Sequence, residues 1–211
     1  MPELGLFPLP IVLVPTERIP LHIFEPRYRE LIQECVDTGG EFGLVLATGD
    51  GAVHEIGTRA RVVDVLEELE DGRMNIVVEG GSRFRLLELT RGRTFQTGIV
   101  EEVQDEDEPA TPEDTSRALE VFRELAEAAQ SDVDLPPPES PELIWELAAR
   151  VDFGVDPKQE ILASTSPARR MRRLVELLEA SLEAVRLEQT LRERAGRNGK
   201  VSPLEGDGPL A

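Results

Sequence analysis

Residues 61–79, Arg-Val-Val-Asp-Val-Leu-Glu-Glu-Leu-Glu-Asp-Gly-Arg-Met-Asn-Ile-Val-Val-Glu, decide the fold of this chain. Near their end, apolar side chains occupy alternate positions, which is typical of a strand with one packed face. These apolar residues are Met74, Ile76 and Val78. The preceding dipeptide, Asp71-Gly72, supplies the positive φ angles that a tight hairpin turn requires. We therefore predict that residues 61–69 pair antiparallel with residues 73–79.

Strand signals extend on both sides of this hairpin, from Leu6 to Val103. The dipeptide Gly80-Gly81 is predicted to break the β run, because glycine weakens a strand interior. Further strands are predicted at residues 11–14, 42–46, 82–89 and 94–103. Several short strands separated by turns favour a β-barrel or a β-sandwich.

One helix interrupts the β region. Pro26 is suited to its first turn, and Gly39-Gly40 is a typical stop signal. Its apolar residues follow a helical spacing and are Tyr28, Leu31, Ile32, Cys35 and Val36. This spacing places them on one stripe of the helix surface. We predict that Cys35 is a small buried apolar residue rather than a reactive thiol.

The second half of the chain is predicted to be helical. Four pairs of a capping residue and a proline each indicate a helix start, and they are Thr111-Pro112, Ser140-Pro141, Asp156-Pro157 and Ser166-Pro167. The last helix is predicted to reach about Arg194. The acidic, proline-containing stretch before the first pair is typical of a solvated connector. The expected organisation is a β subdomain at 1–103, an acidic linker at 104–113, a helical bundle at 114–195 and a disordered tail at 196–211.

Composition narrows the function. The 211 residues include 42 acidic and 23 basic side chains, a formal net charge of −19. Nucleic acid is therefore an improbable general partner, because binding to phosphates depends on Lys and Arg. The single cysteine excludes a disulfide framework within the chain and any multi-cysteine metal site. Prolines interrupt the early apolar runs, and no segment has the ~18–20 apolar residues of a membrane span. We expect a soluble cytoplasmic protein without a membrane partner.

Motifs for catalysis, metals or cofactors are missing from the sequence. No phosphate-binding loop, no His-Glu-x-x-His pair and no Gly-x-Ser-x-Gly elbow occur. The two histidines, His22 and His54, lie far apart in the sequence, and a Ser-Lys dyad would have to use Lys158 or Lys200. We therefore expect no enzyme activity, no cofactor and no metal. Carboxylates are abundant, so an enzyme that uses them in a cleft stays an alternative.

One basic cluster stands out at the start of the last predicted helix. It consists of Arg169, Arg170, Arg172 and Arg173. Positive charge at a helix N-terminus opposes the helix dipole, so these side chains need compensation. They either pair with the many acidic neighbours or form a patch for RNA or an acidic partner.

Further blocks of sequence carry a family resemblance. Leu6-Phe7-Pro8-Leu9, Val14-Pro15 and residues 20–28, Pro-Leu-His-Ile-Phe-Glu-Pro-Arg-Tyr, resemble the opening signature of the Lon substrate-binding domain, the N-terminal domain of Lon protease. The blocks that continue the resemblance in register are Phe42–Leu46, Glu55–Ala60, Val78–Leu86 and Ser166–Arg170. The resemblance covers about residues 4–190. It implies an α+β fold, a PUA-like β-barrel with an inserted helix followed by a C-terminal helical bundle.

The resemblance also implies a role. In Lon this domain engages unfolded or degron-bearing polypeptides and helps to hold the hexamer together. Lon continues into an ATPase and a Ser-Lys protease domain, for which this sequence has no motifs, so we expect a stand-alone, non-catalytic bacterial member in protein quality control. The leading hypothesis is an adaptor or holdase role, with a protease or chaperone as a partner.

The expected binding surface is near Leu21, His22, Phe24 and Tyr28. The alternative is that these four residues only seat the inserted helix against the barrel. An RNA-binding PUA-like protein and a small-molecule enzyme with a barrel-bundle cleft are the alternative functions.

Overall fold

The computed structural model describes residues 3–49 and 51–198. Within them the chain forms six strands and five helices. One helix lies between the second and third strands, and the other four follow the last strand. The strands are β1 (Glu3–Leu9), β2 (Arg18–Ile23), β3 (Phe42–Leu46), β4 (Ile56–Glu68), β5 (Met74–Thr90) and β6 (Thr97–Glu102). The helices are α1 (Pro26–Thr38), α2 (Pro112–Ala128), α3 (Leu143–Ala148), α4 (Val155–Ala163) and α5 (Pro167–Asn198). The chain is therefore an α+β protein.

The strands form one mixed sheet in the order β2-β5-β4-β3-β1-β6. β1 and β3 are parallel, whereas the other pairs are antiparallel. Because β5 also pairs with β6, five strands form a closed circuit of hydrogen-bonded neighbours, and β2 lies outside it. The predicted hairpin is confirmed, with Arg61 opposite Glu79 and Glu68 opposite Met74.

The prediction that Gly80-Gly81 breaks the β run is wrong, because β5 runs without interruption from Met74 to Thr90. The glycine pair lies instead at a bulge, because Arg83 is opposite Thr58 and Gly80 is opposite Ala60, which leaves one extra residue in β5. Gly80 is needed for a different reason. A Cβ atom at this position would overlap the carbonyl oxygen of Val14. The glycine thus permits a close approach of two backbones.

The predicted strand at residues 11–14 is also wrong. This segment has no strand pairing, yet Val12, Leu13 and Val14 are buried. An apolar run of four residues is compatible with a buried loop as well as with a strand. The last strand begins at Thr97 instead of residue 94, whereas the predicted core strand at residues 42–46 is confirmed and fully buried.

Helix α1 begins and ends as predicted. Pro26 lies in its first turn, and Gly39 follows its end with a left-handed φ of 65°. Four of the five predicted stripe residues are buried, namely Tyr28, Leu31, Ile32 and Cys35. Val36 is exposed instead. It follows Cys35 directly, and the 3.6-residue turn carries it past the edge of the stripe.

Cys35 provides a test of this packing. Burial, followed by the charges of Glu34 and Glu41, raises the pKa of its thiol to about 11. The stabilising effect of the neutral thiol is full below the ordinary thiol pKa and is lost as the pH rises towards 11. We expect wild-type protein to lose stability over this range relative to Cys35→Ala, measured by urea unfolding at successive pH values. A constant difference between the two proteins at all pH values would contradict a buried neutral thiol.

The helix caps follow the predictions in two of four cases. Thr111 accepts a hydrogen bond from the Asp114 amide at 3.0 Å, and Ser166 accepts one from the Arg169 amide at 3.2 Å. The other two starts differ, because α3 begins at Leu143 and α4 at Val155, each without a side-chain cap. Helix α5 extends to Asn198 and therefore includes residues 196–198 of the predicted tail. Residues 199–211 of that tail lie outside the described residues.

The sheet and the helices share a hydrophobic core. One buried cluster combines Val12, Val14, Leu46 and Ile56 of the β region with side chains from α2, α3, α4 and α5. A second cluster lies between α1 and the sheet and contains Ile23, Tyr28 and Ile76. The buried loop at residues 11–14 contributes to both clusters, because Leu13 belongs to the second one. This loop therefore ties the β region to the helices.

Candidate functional site

Strand β2 presents a free edge. Among the described residues it pairs with β5 alone. The Gly80 amide donates to the Glu17 carbonyl at 2.9 Å, so the backbone of residue 17 faces β5. Because strand residues alternate, residues 19, 21 and 23 also face β5, and residues 18, 20 and 22 face outward. Pro20, which has no N–H, accordingly occupies an outward position. The edge thus offers the amides of residues 18 and 22 and three carbonyl groups.

A polar ladder crosses three strands beside this edge. The Nδ1 atom of His22 lies 2.7 Å from Oδ1 of Asn75. The Nδ2 atom of Asn75 donates to Oε2 of Glu67 at 2.8 Å. With its amide nitrogen used in this way, Asn75 accepts the Nδ1 proton of His22. The ladder fixes the imidazole ring and leaves its Nε2 atom available to a ligand.

A second ladder lies at the other end of β2. Nε of Arg18 donates to Glu79 at 2.5 Å, and Nε of Arg61 donates to the same carboxylate at 3.2 Å. The hydrogen bond from Arg61 is the main reason that the pKa of Glu79 lies below its usual value. The strip between the two ladders contains Pro20 and Val77, which are opposite each other in the register. The surface beside the edge is therefore apolar in its centre and polar at its ends.

Exposed apolar side chains extend this strip. Phe24 is 59% exposed and Leu66 is 58% exposed, and exposed apolar side chains are informative where they form a patch. The rings of Phe24 and His22 stack, with 5.9 Å between their centroids. A groove of about 530 Å³ lies here and is lined by Pro20, Leu21, His22, Leu66, Glu67, Asn75 and Ile76. We refer to this groove, with Phe24 and the outer edge of β2, as the β2 edge surface.

The structure brings three of the four predicted binding residues together. Leu21 and His22 line the groove, and Phe24 stacks on His22. Tyr28 lies elsewhere, buried with its ring centroid 4.1 Å from that of Phe7. Tyr28 packs α1 against the sheet. This is the role that the alternative interpretation gave to all four residues. Sequence reasoning missed Leu66, because it lies beside a register shift of β4 that disturbs the alternation.

The predicted arginine cluster does not form an open basic patch. Arg169 pairs with Glu106 at 3.3 Å, and Arg173 pairs with Glu160 and Glu176, each at 2.9 Å. Arg170 is 2% exposed and is paired with Asp105. Three of the four arginines are therefore compensated by acidic neighbours, whereas Arg172 is exposed and has no ion pair among the described residues.

Asp105 lies at the centre of a clamp between sheet and helices. Its carboxylate accepts from the guanidinium groups of Arg83 and Arg170, which lie 5.3 Å and 4.3 Å from the centre of the Trp145 ring. Nη1 of Arg83 also donates to the carbonyl of Leu162 at 2.7 Å. Burial and the charge of Arg170 lower the pKa of Arg83. The segment that was predicted to be a solvated linker is therefore bound to the start of α5.

Two other properties concern metals and membranes. Within residues 3–49 and 51–198, no group of three or more His, Cys, Asp or Glu side chains could hold a metal ion. None of the helices in the same ranges is long and apolar enough to cross a membrane.

Comparison with known proteins identifies relatives of the whole fold. Residues 3–180 match the family described as the ATP-dependent protease La (LON) substrate-binding domain. A Lon protease of Rhizobium meliloti is 26% identical over 92% of this chain and 26% of its own length. A Lon protease of Anaeromyxobacter dehalogenans is 26% identical over 83% of this chain and 23% of its own length. The chain thus spans about a quarter of the curated relatives that it matches.

Solved structures show the same similarity. The crystal structure of a Lon N-terminal domain protein from Xanthomonas campestris matches 83% of this chain and 98% of that one, with 29% identity and a TM-score of 0.65. The N-terminal domain of a Lon protease from the Mycobacterium avium complex matches 84% and 98%, with 16% identity and a TM-score of 0.60. At 16% identity, the second match supports the fold alone.

Proposed function

The chain belongs to the family of the LON substrate-binding domain, and on that premise we propose that it binds unfolded or degron-bearing polypeptides at the β2 edge surface. The observation that carries this proposal is the free strand edge beside the exposed Phe24 and Leu66. The module has no catalytic role in this proposal and acts in the cytoplasm as an adaptor or holdase. We further infer that the closed circuit of five strands is a PUA-like β-barrel.

The binding mode follows from the backbone of β2. An extended client can add a strand to the sheet by pairing with the amides of residues 18 and 22 and with the outward carbonyls. Such pairing is independent of the client's sequence, because it uses main-chain groups alone. Pro20 removes one donor from the middle of the edge, which weakens pairing with other copies of the chain. This mode suits transient capture of many clients.

Selectivity comes from the side chains beside the edge. The exposed Phe24 and Leu66 favour clients with apolar residues at alternate positions, since those side chains would fall on the same face of the added strand. The net charge of −19 favours basic clients and disfavours acidic ones. Free Nε2 of His22 can accept a hydrogen bond from a client side chain. Together these features predict recognition of client segments that combine basic residues with apolar residues of the kind that folded proteins keep buried.

We expect the double variant Phe24→Ser/Leu66→Ser to bind labelled unfolded casein at least tenfold more weakly than wild type. If the two side chains lose about 100 Å² of apolar contact, ~25 cal/mol per Å² gives about 2.5 kcal/mol. Fluorescence anisotropy titration at two salt concentrations measures the change. The matched control is Leu87→Ser/Leu89→Ser, since these leucines are also exposed but lie at the far end of β5. Equal loss in both double variants would show that the β2 edge surface has no special role.

Strand addition has its own test. The variant His22→Pro removes the outward amide as well as the imidazole, whereas His22→Ala removes the imidazole alone. We expect casein to bind more weakly to His22→Pro than to His22→Ala, because only the former deletes a main-chain donor. Identical affinities of the two variants would rule out main-chain pairing at this position. A labelled short RNA serves as the second titrant beside casein, and salt-sensitive binding of RNA alone would favour the RNA-binding alternative.

A further inference from the structure

Helix α5 carries a second apolar stripe that nothing in the described chain covers. Its first stripe, Leu174, Leu178 and Leu182, is buried in the core. The second consists of Ala180, Ala184, Leu187 and Leu191, at intervals of four, three and four residues. Leu187 is 61% exposed and Leu191 is 55% exposed. Spacings of three and four residues place all four on one face.

This stripe continues into an apolar pocket. The pocket has a volume of about 400 Å³ and lies where the end of α2, the segments around residues 131–133 and 150–152, and α5 meet. Its apolar lining includes Phe122, Leu125, Val133, Val151, Ala184 and Val185. Ala184 belongs to both features, and Leu191 lies two turns further along the same face. Pocket and stripe therefore form one surface, which we name the α5 groove.

The rim of the α5 groove is acidic. Five carboxylates around it have no ion pair among the described residues, and they belong to Glu127, Asp132, Asp134, Asp152 and Glu183. Two of the neighbouring cations are paired with carboxylates, whereas Arg150, which lines the pocket, donates only to a neutral carbonyl group and keeps its positive charge. Arg186 pairs with Glu124 at 2.8 Å, Arg192 pairs with Glu188 at 2.5 Å, and Arg150 donates to the Asp134 carbonyl at 2.6 Å. The five carboxylates without an ion pair outnumber the one lining arginine that has none, so the net charge beside the groove is negative.

We propose that the α5 groove docks an amphipathic helix with a basic polar face, supplied by a partner protein. A large apolar side chain of that helix enters the pocket, and its next turns cover Leu187 and Leu191. A helix suits this surface because the exposed apolar residues of α5 follow helical spacing, which favours packing of helix against helix. An extended segment would need a free strand edge, and a helix provides none. The acidic rim selects a basic partner and repels a second copy of this chain, whose net charge is −19.

This surface is separate from the β2 edge surface. The groove is formed by α2, α5 and the segment that follows α2, whereas the client edge belongs to β2, β4 and β5. One chain can therefore hold an extended client and a helical partner together. The two proposals can also fail separately, because each has its own variants.

The test uses the full chain and a fluorescein-labelled peptide of leucine and lysine, about 18 residues long or five helical turns. Its leucines follow helical spacing. We expect saturable binding at moderate salt, with the peptide becoming helical by circular dichroism. We expect Leu187→Gln/Leu191→Gln to bind at least tenfold more weakly, and Ala184→Trp, which covers the mouth of the pocket, to weaken binding as well. Glutamine preserves both charge and helix propensity.

The controls separate apolar docking from simple attraction of a cation. Leu87→Gln/Leu89→Gln, a matched change on exposed leucines of β5, is expected to bind the peptide as wild type does. A scrambled peptide of the same composition, and a leucine-glutamate peptide with the original spacing, are expected to bind at least tenfold more weakly. Equal binding of the scrambled peptide, or unchanged binding by Leu187→Gln/Leu191→Gln, would overturn the proposal. So would sedimentation that shows a dimer dissociated by Leu187→Gln/Leu191→Gln, since a second copy would then occupy the groove.

Discussion

Replacement of Asp105 by alanine is expected to lower the free energy of unfolding by about 3 kcal/mol or more. Asp105 is the shared partner of Arg83 and Arg170, which are 5% and 2% exposed. Without the carboxylate, two buried cations face each other over the ring of Trp145. Their mutual repulsion and their loss of hydration then oppose folding. Urea unfolding followed by tryptophan fluorescence measures the effect, because the single tryptophan lies in the clamp.

The neighbouring residue provides the control. Glu106 pairs with Arg169, and both side chains are largely exposed. Exposed ion pairs contribute little to stability, so Glu106→Ala is expected to lower the free energy of unfolding far less than Asp105→Ala does. If Glu106→Ala and Asp105→Ala both lowered the free energy of unfolding by the same small amount, the segment after β6 would be the solvated linker that its composition predicts. A large difference identifies it as part of the joint between sheet and helices.

The variant Gly80→Ala is expected to cost about 2–3 kcal/mol, the upper part of the usual range for overpacking. The new methyl group would meet the backbone of Val14, which cannot turn aside as a flexible side chain can. The loop at residues 11–14 would have to move, and this loop belongs to both main core clusters. Thermal or urea unfolding measures the loss.

Gly81→Ala is the natural control for Gly80→Ala. The nearest atom to a Cβ at Gly81 is the Arg59 carbonyl oxygen at 3.4 Å, an ordinary contact. We expect this variant to change stability by less than about 1 kcal/mol. If both variants lowered the free energy of unfolding by similar amounts, glycine would be needed for the conformation of β5 itself. It would then not be needed for the close approach of the loop at residues 11–14.

The sequence predicted those parts of the fold that depend on local signals. The hairpin around Asp71-Gly72, the inserted helix with its proline and glycine, and two of four helix caps depend on residues close together in the chain. The loop at residues 11–14 was misinterpreted because its burial comes from residues distant in sequence. The clamp around Asp105 was missed for the same reason. Its carboxylate meets Arg83 and Arg170 only after the chain has folded.

The candidate site was predictable in part. The family resemblance directed attention to residues 20–28, and the structure places three of the four predicted side chains at one surface. Tyr28 is separated from them because α1 turns it inward, which its position on the apolar stripe already indicated. Leu66 and Asn75 were missed because register shifts of β4 decide which side chains meet across the strands.

Amide hydrogen exchange tests directly whether a client pairs with the outer edge of β2. The amides of residues 18 and 22 face outward and have no partner in the described sheet. NMR-detected exchange of the protein alone and with saturating unfolded casein would measure both amides. We expect fast exchange at both positions in the free protein and at least tenfold slower exchange at both with casein bound. Binding of casein that leaves these two amides unprotected would contradict such pairing.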